Sequence, residues 1–331
     1  MKKIWNEKYR PNNINAILQP DIKQLIFQKS NLDNLPHLLF YGKPGSGKTT
    51  TVLSICKYIY NSDAKIINER VLELNASDDR GINIVREKIK TFAAKALNKY
   101  ENIPFFKIII LDEAVVMTHD SQFALRRIIE QYSHITRFIL ICNYVTKIIP
   151  PLVSRCSKFK FDNLNVLQMK PIIENILINE KVNYNTELLD NINETIYNTT
   201  KGDLRKTITV LQRTVYIASI NKTDININII NEIIGTIPKE LILEFYNIIS
   251  HKVNTYKIIM DILTKLINSG YSNTNIINEI SLIILHDKNI LDNKKILIFK
   301  KMSNICNLLS SGSGDYIQLL TICSFINNIL S

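Results

Sequence analysis

The sequence predicts an α/β domain built on a parallel five-stranded sheet with flanking helices, followed by two regions that are all α-helical. Short apolar segments alternate with amphipathic helical patterns up to about residue 161, as a parallel sheet with flanking helices requires. Eight of the nine prolines lie at or before Pro171, and the chain beyond reads as nearly continuous helix. A glycine-rich loop pattern directly follows the first apolar segment, which predicts a phosphate-binding site.

The predicted strands are Leu38–Tyr41, Val71–Leu74, Lys107–Leu111, Phe138–Cys142 and Lys158–Phe161. After Asp162 the strand patterns stop, and helices are predicted at Val166–Glu180, Thr186–Tyr197, Asp203–Ile220 and Ile225–Ile234. From Lys239 onward about four further amphipathic helices are predicted, with breaks near Ser269-Gly270 and at residues 311–314. We therefore expect three domains, at residues 1–161, 162–235 and 236–331.

The composition excludes several classes of protein. No apolar run reaches the roughly 18 residues of a membrane span, and the charged N-terminal residues do not form a signal peptide. The five cysteines form no C-x-x-C pair, so the sequence indicates neither a disulfide framework nor a zinc site, and a reducing compartment is expected. The net charge of +11 suits a polyanionic partner, although it is equally compatible with a feature that only improves solubility.

The phosphate loop is the strongest local signal. Residues 42–49 read Gly-Lys-Pro-Gly-Ser-Gly-Lys-Thr and fit the pattern G-x-x-x-x-G-K-[ST], between an apolar strand and a helical pattern. Backbone N–H groups of such a loop surround an anion, Lys48 reaches the terminal phosphates, and Thr49 can coordinate magnesium. The residues predicted to bind nucleotide here are Gly42, Lys43, Pro44, Gly45, Ser46, Gly47, Lys48, Thr49 and Thr50.

A second signal is the apolar segment 108–111, which ends in Asp112 and Glu113. A buried strand would deliver Asp112 beside the nucleotide, where it holds the magnesium shell together with Thr49. Glu113 would then polarise the attacking water as a general base. The alternative is a strand that ends in a solvated acidic turn. The phosphate loop upstream favours the magnesium and general-base interpretation strongly over this alternative.

Three further polar residues are less specific signals when each is taken alone. Asn143 follows a predicted strand and either orients the hydrolytic water or caps a turn. Arg155 is either a surface charge or an arginine that stabilises phosphoryl transfer in a neighbouring subunit. Arg205 lies near the start of a helix with Asp203 in its first turn, and by itself this pair reads as helix capping.

Taken together, the motifs resemble the small subunits of replication factor C, the sliding-clamp loader. The stretches that carry the resemblance occur in the family's order and are Trp5–Pro11, Gly42–Thr49, Leu74–Ile82, Leu111–Ala114, Ile141–Tyr144, Ser154–Cys156 and Gly202–Arg205. Beyond about residue 235 the chain is similar to the family in length and helicity only. Two positions depart from the family pattern: Val115 stands where an aspartate is usual, and Asn6 stands where an apolar residue is common.

The resemblance implies an AAA+ ATPase fold with a helical lid, and a C-terminal collar through which five subunits form a ring. It implies ATP and Mg²⁺ as ligands and, as partners, other loader subunits, a ring-shaped clamp and primer–template DNA. It assigns these residue roles: Asn143 as first sensor, Arg205 as second sensor in cis, Arg155 as the finger reaching the next subunit, Asn75 as the partner that holds Glu113 inactive until DNA binds, and Tyr9, Arg10 and Pro11 near the adenine.

DNA contacts are expected on helices that line the ring. The matching basic positions are Arg86, Lys90 and Arg127, with Lys88 as a further candidate. Basic side chains that bind phosphates give affinity without sequence readout. The alternative is that these residues are ordinary solvated helix faces.

The function predicted from the sequence is an ATP-driven clamp-loader subunit, located in the nucleus if the host is a eukaryotic cell, with a viral replication compartment or the cytoplasm as alternatives. One rival is another AAA+ machine, of the branch-migration helicase or origin-binding type, which a C-terminal winged-helix domain would favour. A second rival is a scaffold subunit that binds nucleotide with little hydrolysis of its own. A third, a small-molecule kinase, does not explain Ser154-Arg155-Cys156.

Overall fold

The structure is a computed structural model that describes residues 4–11, 22, 24, 26, 35–76, 82–101, 103–182, 184, 186–221, 223–250 and 256–330. The chain divides into two compact units, Met1–Gln212 and Arg213–Ser331. The division into three domains predicted from the sequence stays a prediction.

The first unit contains a five-stranded sheet. Its strands are β1 (His37–Gly42), β2 (Val71–Asn75), β3 (Lys107–Asp112), β4 (Thr136–Cys142) and β5 (Cys156–Phe161). All neighbouring strands are parallel, and their order is β2-β3-β4-β1-β5. The predicted α/β fold with a five-stranded parallel sheet is therefore confirmed, and every predicted strand is present.

The strands read as continuous apolar runs because both faces of the sheet are covered. In β3, Ile108 and Ile110 belong to one hydrophobic cluster, while Ile109 and Leu111 belong to another on the opposite face. This alternation follows from the two-residue period of a strand. The helix that follows β1 packs its Val52 into the first of these clusters.

The helices of the first unit lie before, between and after these strands in the sequence. They are α1 (Trp5–Lys8), α2 (Lys48–Ile59), α3 (Ala64–Arg70), α4 (Ile82–Ala94), α5 (His119–Tyr132), α6 (Pro150–Val153), α7 (Val166–Asn179), α8 (Thr186–Thr200) and α9 (Leu204–Asn221), whose last residues fall in the second unit. Lys107 on β3, only 1% exposed, ends α4 because its ammonium donates to the carbonyls of Phe92, Ala93 and Lys95.

The second unit is helical. It contains α10 (Ile227–Ile234), α11 (Lys239–Ser250), α12 (Tyr256–Asn268), α13 (Asn273–His286), α14 (Asp292–Ser310) and α15 (Asp315–Leu330). Among the described residues, five helices thus lie from Lys239 onward, where the sequence predicted about four. The break after His286 has no glycine or proline. A side chain makes it instead: Asp287 accepts hydrogen bonds from the Asn289 N–H (2.8 Å) and the Tyr246 hydroxyl (2.9 Å).

The core of the second unit is one cluster of buried side chains, mainly isoleucines, drawn from α11 to α15. Over the part of the chain that the structure describes, no helix combines the length and the apolar character needed to cross a membrane.

Candidate nucleotide-binding site

A cavity of about 400 Å³ opens at the carboxyl edge of the sheet. This edge is where ligands bind in parallel α/β sheets. The predicted site residues that line the cavity are Tyr9, Arg10, Pro11, Pro44, Gly45, Gly47, Lys48, Thr49, Thr50, Asp112, Glu113, Asn143 and Arg205. Residues that are far apart in sequence are therefore brought together at one cavity.

The phosphate loop has the backbone conformation of an anion cradle. Gly45 and Gly47 have positive φ angles of 71° and 88°, the left-handed region that glycine adopts without strain. The three predicted loop residues that do not line the cavity, Gly42, Lys43 and Ser46, shape the loop instead. Carbonyl oxygens of Gly42 and Lys43 each accept a 2.8 Å hydrogen bond from Lys48 Nζ, and the Ser46 hydroxyl donates to Lys43 O at 2.7 Å.

Lys48 is the buried cation of the cavity, with 7% of its surface exposed. Burial lowers the pKa of its ammonium, and the nearby Asp112 carboxylate opposes that shift. A buried cation with carbonyl partners alone is incompletely compensated, because carbonyls carry no net charge. The site is therefore suited electrostatically to a polyanion such as a nucleotide phosphate chain.

Asp112 and Thr49 form the part of the site that fits a magnesium ion. The Thr49 hydroxyl donates a 2.8 Å hydrogen bond to Asp112 Oδ2. Since the hydroxyl hydrogen is used in that bond, the oxygen lone pairs of Thr49 stay available to a cation. Hydroxyl and carboxylate oxygens are the ligands that Mg²⁺ prefers, so the residues present fit the ion.

Glu113 occupies a special backbone position directly after β3. Its φ of 52° lies in the left-handed region, and its N–H donates to Asp112 Oδ1 at 2.8 Å. This turn leaves the Glu113 side chain exposed at the cavity, which Asn143 also lines. Asn75, at the end of β2, lies opposite Asp112 in the register of β2 and β3. Glu113 is the next residue after Asp112.

The start of α9 is docked on the phosphate loop. The Leu204 N–H donates to the carbonyl of Gly45 at 3.2 Å. Asp203 caps the helix, because its Oδ1 accepts hydrogen bonds from the N–H groups of Arg205 (3.0 Å) and Lys206 (3.2 Å). A Cβ on Gly45 would lie 1.9 Å from this same oxygen, so the glycine is needed for the approach of the helix. The cap thereby positions Arg205 at the cavity.

The N-terminal segment, residues 4–11, forms a wall of the cavity. Arg10 Nε donates to Thr50 Oγ1 at 3.4 Å, and the Ser54 hydroxyl donates to Pro11 O at 3.1 Å. On the other side, the Tyr9 hydroxyl donates to Glu180 at 2.6 Å. The segment thus connects the phosphate-loop helix with α7.

Four lining residues were missed from the sequence: Asn6, Glu7, Leu204 and Ile208. Asn6 and Glu7 share the segment of Tyr9, and that proximity was an available signal. Leu204 and Ile208 are one helical turn apart, and their apolar pattern reads as ordinary core.

Arg155 does not line the cavity of its own chain. Its guanidinium donates to the Pro151 carbonyl at 2.6 Å and to the carboxylate of Glu130. Glu130 also accepts from Arg126 Nε at 3.1 Å, one turn away on α5. The structure therefore separates this arginine from the other predicted catalytic residues.

The predicted DNA-binding residues lie on α4 and α5. Lys90 and Arg127 are exposed, as a contact with phosphates requires. The side chain of Arg86 lies outside the described residues, as does the 77–81 part of the motif at Leu74–Ile82.

Two family models match the chain. The model described as ATPase family associated with various cellular activities (AAA) matches residues 38–163, and the Replication factor C C-terminal domain matches residues 237–324. The second match lies in the helical unit, where the sequence motifs carried no specific signal.

Relatives match along almost the whole chain. Replication factor C subunit 2 of Saccharomyces cerevisiae is 39% identical, over 98% of this chain and 93% of the relative. Subunit 2 of Oryza sativa subsp. japonica is 38% identical, over 97% and 93%. The replication factor C small subunit of Sulfurisphaera tokodaii is 37% identical, over 96% and 92%.

Among solved structures, the RuvB Holliday junction branch migration motor of Thermotoga maritima is similar, with a TM-score of 0.52 and 18% identity. The match covers 73% of this chain and 79% of that one. At this identity the likeness concerns the fold alone.

Proposed function

Because this chain belongs to the replication factor C family and is an AAA ATPase, we propose that it is a small subunit of a clamp loader. It uses ATP binding and hydrolysis to open a sliding clamp and load it onto primer–template DNA. The observation that carries this proposal is the 37–39% identity along nearly the whole chain, including the helical unit. Its partners are other replication factor C subunits, and we extend them to the clamp and the DNA.

Within this function the cavity binds Mg²⁺ and ATP. Lys48 neutralises the terminal phosphates, and Thr49 holds the metal, which Asp112 supports through its hydrogen bond to the hydroxyl. The bound ion would supply stabilisation of the charge that develops on the transferring phosphoryl group. Glu113 orients and polarises the attacking water, with Asn143 as the neutral sensor beside it, while Asn75 restrains Glu113 before DNA binds.

The two arginines act in different subunits. Arg205, positioned by the Asp203 cap, contacts the nucleotide of its own chain as second sensor. Arg155 is absent from the lining of that cavity, which supports a role in the site of the adjacent subunit. Hydrolysis would then require assembly, because each site is completed by its neighbour.

We further propose the division at residues 161 and 235 into ATPase, lid and collar domains. The collar joins subunits in a five-membered ring. Arg86, Lys90 and Arg127 bind the DNA backbone without reading its sequence. In a eukaryotic host the complex acts in the nucleus.

The experiment that tests the proposal is ATP hydrolysis by the complex reconstituted with its partner subunits, clamp and primed DNA. Lys48→Ala and Arg155→Ala should each lower the DNA-stimulated rate strongly, since arginine fingers contribute roughly 10³–10⁵ in rate. Arg126→Ala is the matched control, because Arg126 binds the same Glu130 carboxylate but has no assigned role. Wild-type turnover by the Arg155→Ala complex would refute the finger assignment.

Single-turnover hydrolysis separates the loader subunit from a scaffold subunit that only binds nucleotide. The complex in which Lys48→Ala is confined to this chain should lose the turnover of one site. If that complex kept the full number of turnovers, this chain would be the scaffold subunit. The branch-migration alternative is disfavoured by the C-terminal match, because residues 237–324 fit the replication factor C domain.

The DNA contacts have a salt-dependent signature. Lys90→Ala and Arg127→Ala in the complex should each reduce the slope of log affinity against log salt by about 0.9, the value for one lost phosphate contact. Affinity should fall equally for unrelated DNA sequences. An unchanged slope for both variants would show that these residues are solvated helix faces.

A further inference from the structure

The guanidinium of Arg155 is held at two points and stays open to solvent. Its Nη1 donates to the Pro151 carbonyl at 2.6 Å, and its Nη2 donates to Glu130 Oε1. A guanidinium carries five N–H hydrogens, so these two bonds leave three for another acceptor. The side chain is 30% exposed, so a group from outside the chain has access to it.

Glu130 ties the Arg155 guanidinium to a different helix. Pro151 precedes Arg155 by four residues and belongs to α6, so its carbonyl moves together with the backbone of the arginine. Glu130 lies on α5, whose Ile128 and Ile129 are buried in one of the hydrophobic clusters of the sheet. Glu130 therefore fixes the guanidinium relative to the sheet, which the Pro151 carbonyl alone does not.

The start of α5 is itself joined to the segment before α6. Gln122, 2% exposed, accepts a 2.8 Å hydrogen bond from the Ile149 N–H, and its Nε2 donates to the Lys147 carbonyl at 3.2 Å. These bonds hold the two helices in a fixed relation. A functional group supported by such fixed elements is oriented more precisely than one supported by a loop.

The ion pair of Glu130 and Arg155 is too weak to withhold the arginine from a nucleotide. The Arg126 hydrogen bond and the charge of Arg155 lower the pKa of the Glu130 carboxyl, so it is ionised at neutral pH. Water screens an ion pair whose side chains are 30% and 43% exposed. The several charges of a nucleotide phosphate chain outweigh one screened carboxylate. An arginine without this partner would have more rotamers to lose when it binds a phosphate.

We propose that Glu130 is a positioning residue for the arginine finger: its carboxylate fixes the orientation in which the Arg155 guanidinium enters the active site of the adjacent subunit. Glu130 does not line the cavity of its own chain. It acts on orientation alone, and small displacements of a group that stabilises the transition state cost much rate. The inference rests on the proposed role of Arg155 and adds the residue that orients it.

The test is DNA-stimulated ATP hydrolysis by the reconstituted complex, with the substitutions confined to this chain. The part of the native rate that is lost in Arg155→Ala is the Arg155-dependent rate. Glu130→Ala should lower this part about tenfold, less than the roughly 10²-fold that a 1 Å misplacement can cost. The KM for ATP should stay unchanged, because the finger acts in the transition state. Glu130→Gln keeps an oxygen that accepts from Arg155 and should restore most of the rate.

Arg126→Ala is the matched control. Arg126 donates to the same Glu130 oxygen at 3.1 Å, but an exposed pair one helical turn apart contributes little, so this variant should keep the native rate. In Arg155→Ala the further change Glu130→Ala should have no effect, since the residue that Glu130 positions is gone. Size-exclusion chromatography establishes that each complex is assembled, and Glu130→Met replaces Glu130→Ala if the latter does not assemble.

The outcomes separate this inference from the proposed function. If Arg155→Ala is slow while Glu130→Ala keeps the native rate, or if Glu130→Gln is as slow as Glu130→Ala, Glu130 does not position the finger and the finger assignment stands. The same conclusion follows if Glu130→Ala lowers the rate equally with and without Arg155. If Arg155→Ala turns over at the native rate, the finger assignment itself fails.

Discussion

Replacing Gly45 with alanine should disturb the contact between the phosphate loop and α9. The added Cβ would lie 1.9 Å from Asp203 Oδ1 and 2.4 Å from its carboxyl carbon, so Asp203 must move. That oxygen caps α9 by accepting from two backbone N–H groups. The substitution therefore strains the loop and also removes a helix cap.

The magnitude follows from these two effects. A φ of 71° is left-handed, and an L-residue there costs roughly 1–2 kcal/mol. Loss of an aspartate N-cap costs about 1 kcal/mol. We expect Gly45→Ala to lower the free energy of unfolding of the first unit by about 2–3 kcal/mol. Asp203→Ala removes the same cap that the alanine at position 45 displaces. When it is added to Gly45→Ala, it should therefore lower the free energy of unfolding little further.

The assay is denaturant unfolding followed by the fluorescence of Trp5, the single tryptophan, which is 8% exposed and lies in the first unit. Gly47→Ala is the control, because Gly47 has a φ of 88° but no atom within 4 Å of an added Cβ. Gly47→Ala should lower the free energy of unfolding only by the cost of the strained backbone. Equal losses for Gly45→Ala and Gly47→Ala, or strictly additive losses in the double variant, would refute this reasoning.

The remaining predictions concern stability. Burial and the Arg137 charge lower the pKa of His37 to about 4, and its Nδ1 accepts from the Phe138 N–H at 3.1 Å. In the unfolded chain this histidine binds its proton with a pKa near 6.5, so the free energy of unfolding should fall by about 2 kcal/mol between pH 7 and pH 5. The check is unfolding followed by Trp5 fluorescence at both pH values. In His37→Gln this loss of about 2 kcal/mol should be absent. Lys107→Met should cost about 1–3 kcal/mol in the same assay, because three carbonyls at the end of α4 lose their donor; an unchanged midpoint would contradict this. Burial raises the pKa of Cys56 to about 12, so iodoacetamide at pH 8 should leave this thiol unmodified in the folded chain, and mass spectrometry that finds it alkylated would contradict its burial.

The sheet and the phosphate loop were predictable because their causes are local. Each strand is covered on both faces, so a run such as Ile108–Leu111 is visible without knowledge of its neighbours. The loop pattern at residues 42–49 specifies its own backbone, since each of its three glycines has a positive φ, which glycine adopts without strain. The residues at the strand ends then meet at one edge for geometric reasons alone.

Other parts of the site depend on contacts that no local pattern encodes. Ile208 lines the cavity only because Asp203 and Gly45 hold the start of α9 against the loop. The pairing of Arg155 with Glu130 joins residues 25 positions apart on different elements, and charge patterns do not identify such partners. The extra helix after Lys239 was hidden because Asp287 makes its turn through side-chain hydrogen bonds.

The N-terminal wall of the cavity also has a consequence for synthesis on the ribosome. The Trp5 N–H donates to Gln212, a partner 207 positions later in the chain. At about 5–20 residues per second, roughly 10–40 s pass between the translation of these two residues. A nascent chain thus carries the phosphate loop, and the partners of Arg10 and Pro11 on the following helix, well before Trp5 and Asn6 can bind α9, and the cavity is complete only when α9 has emerged.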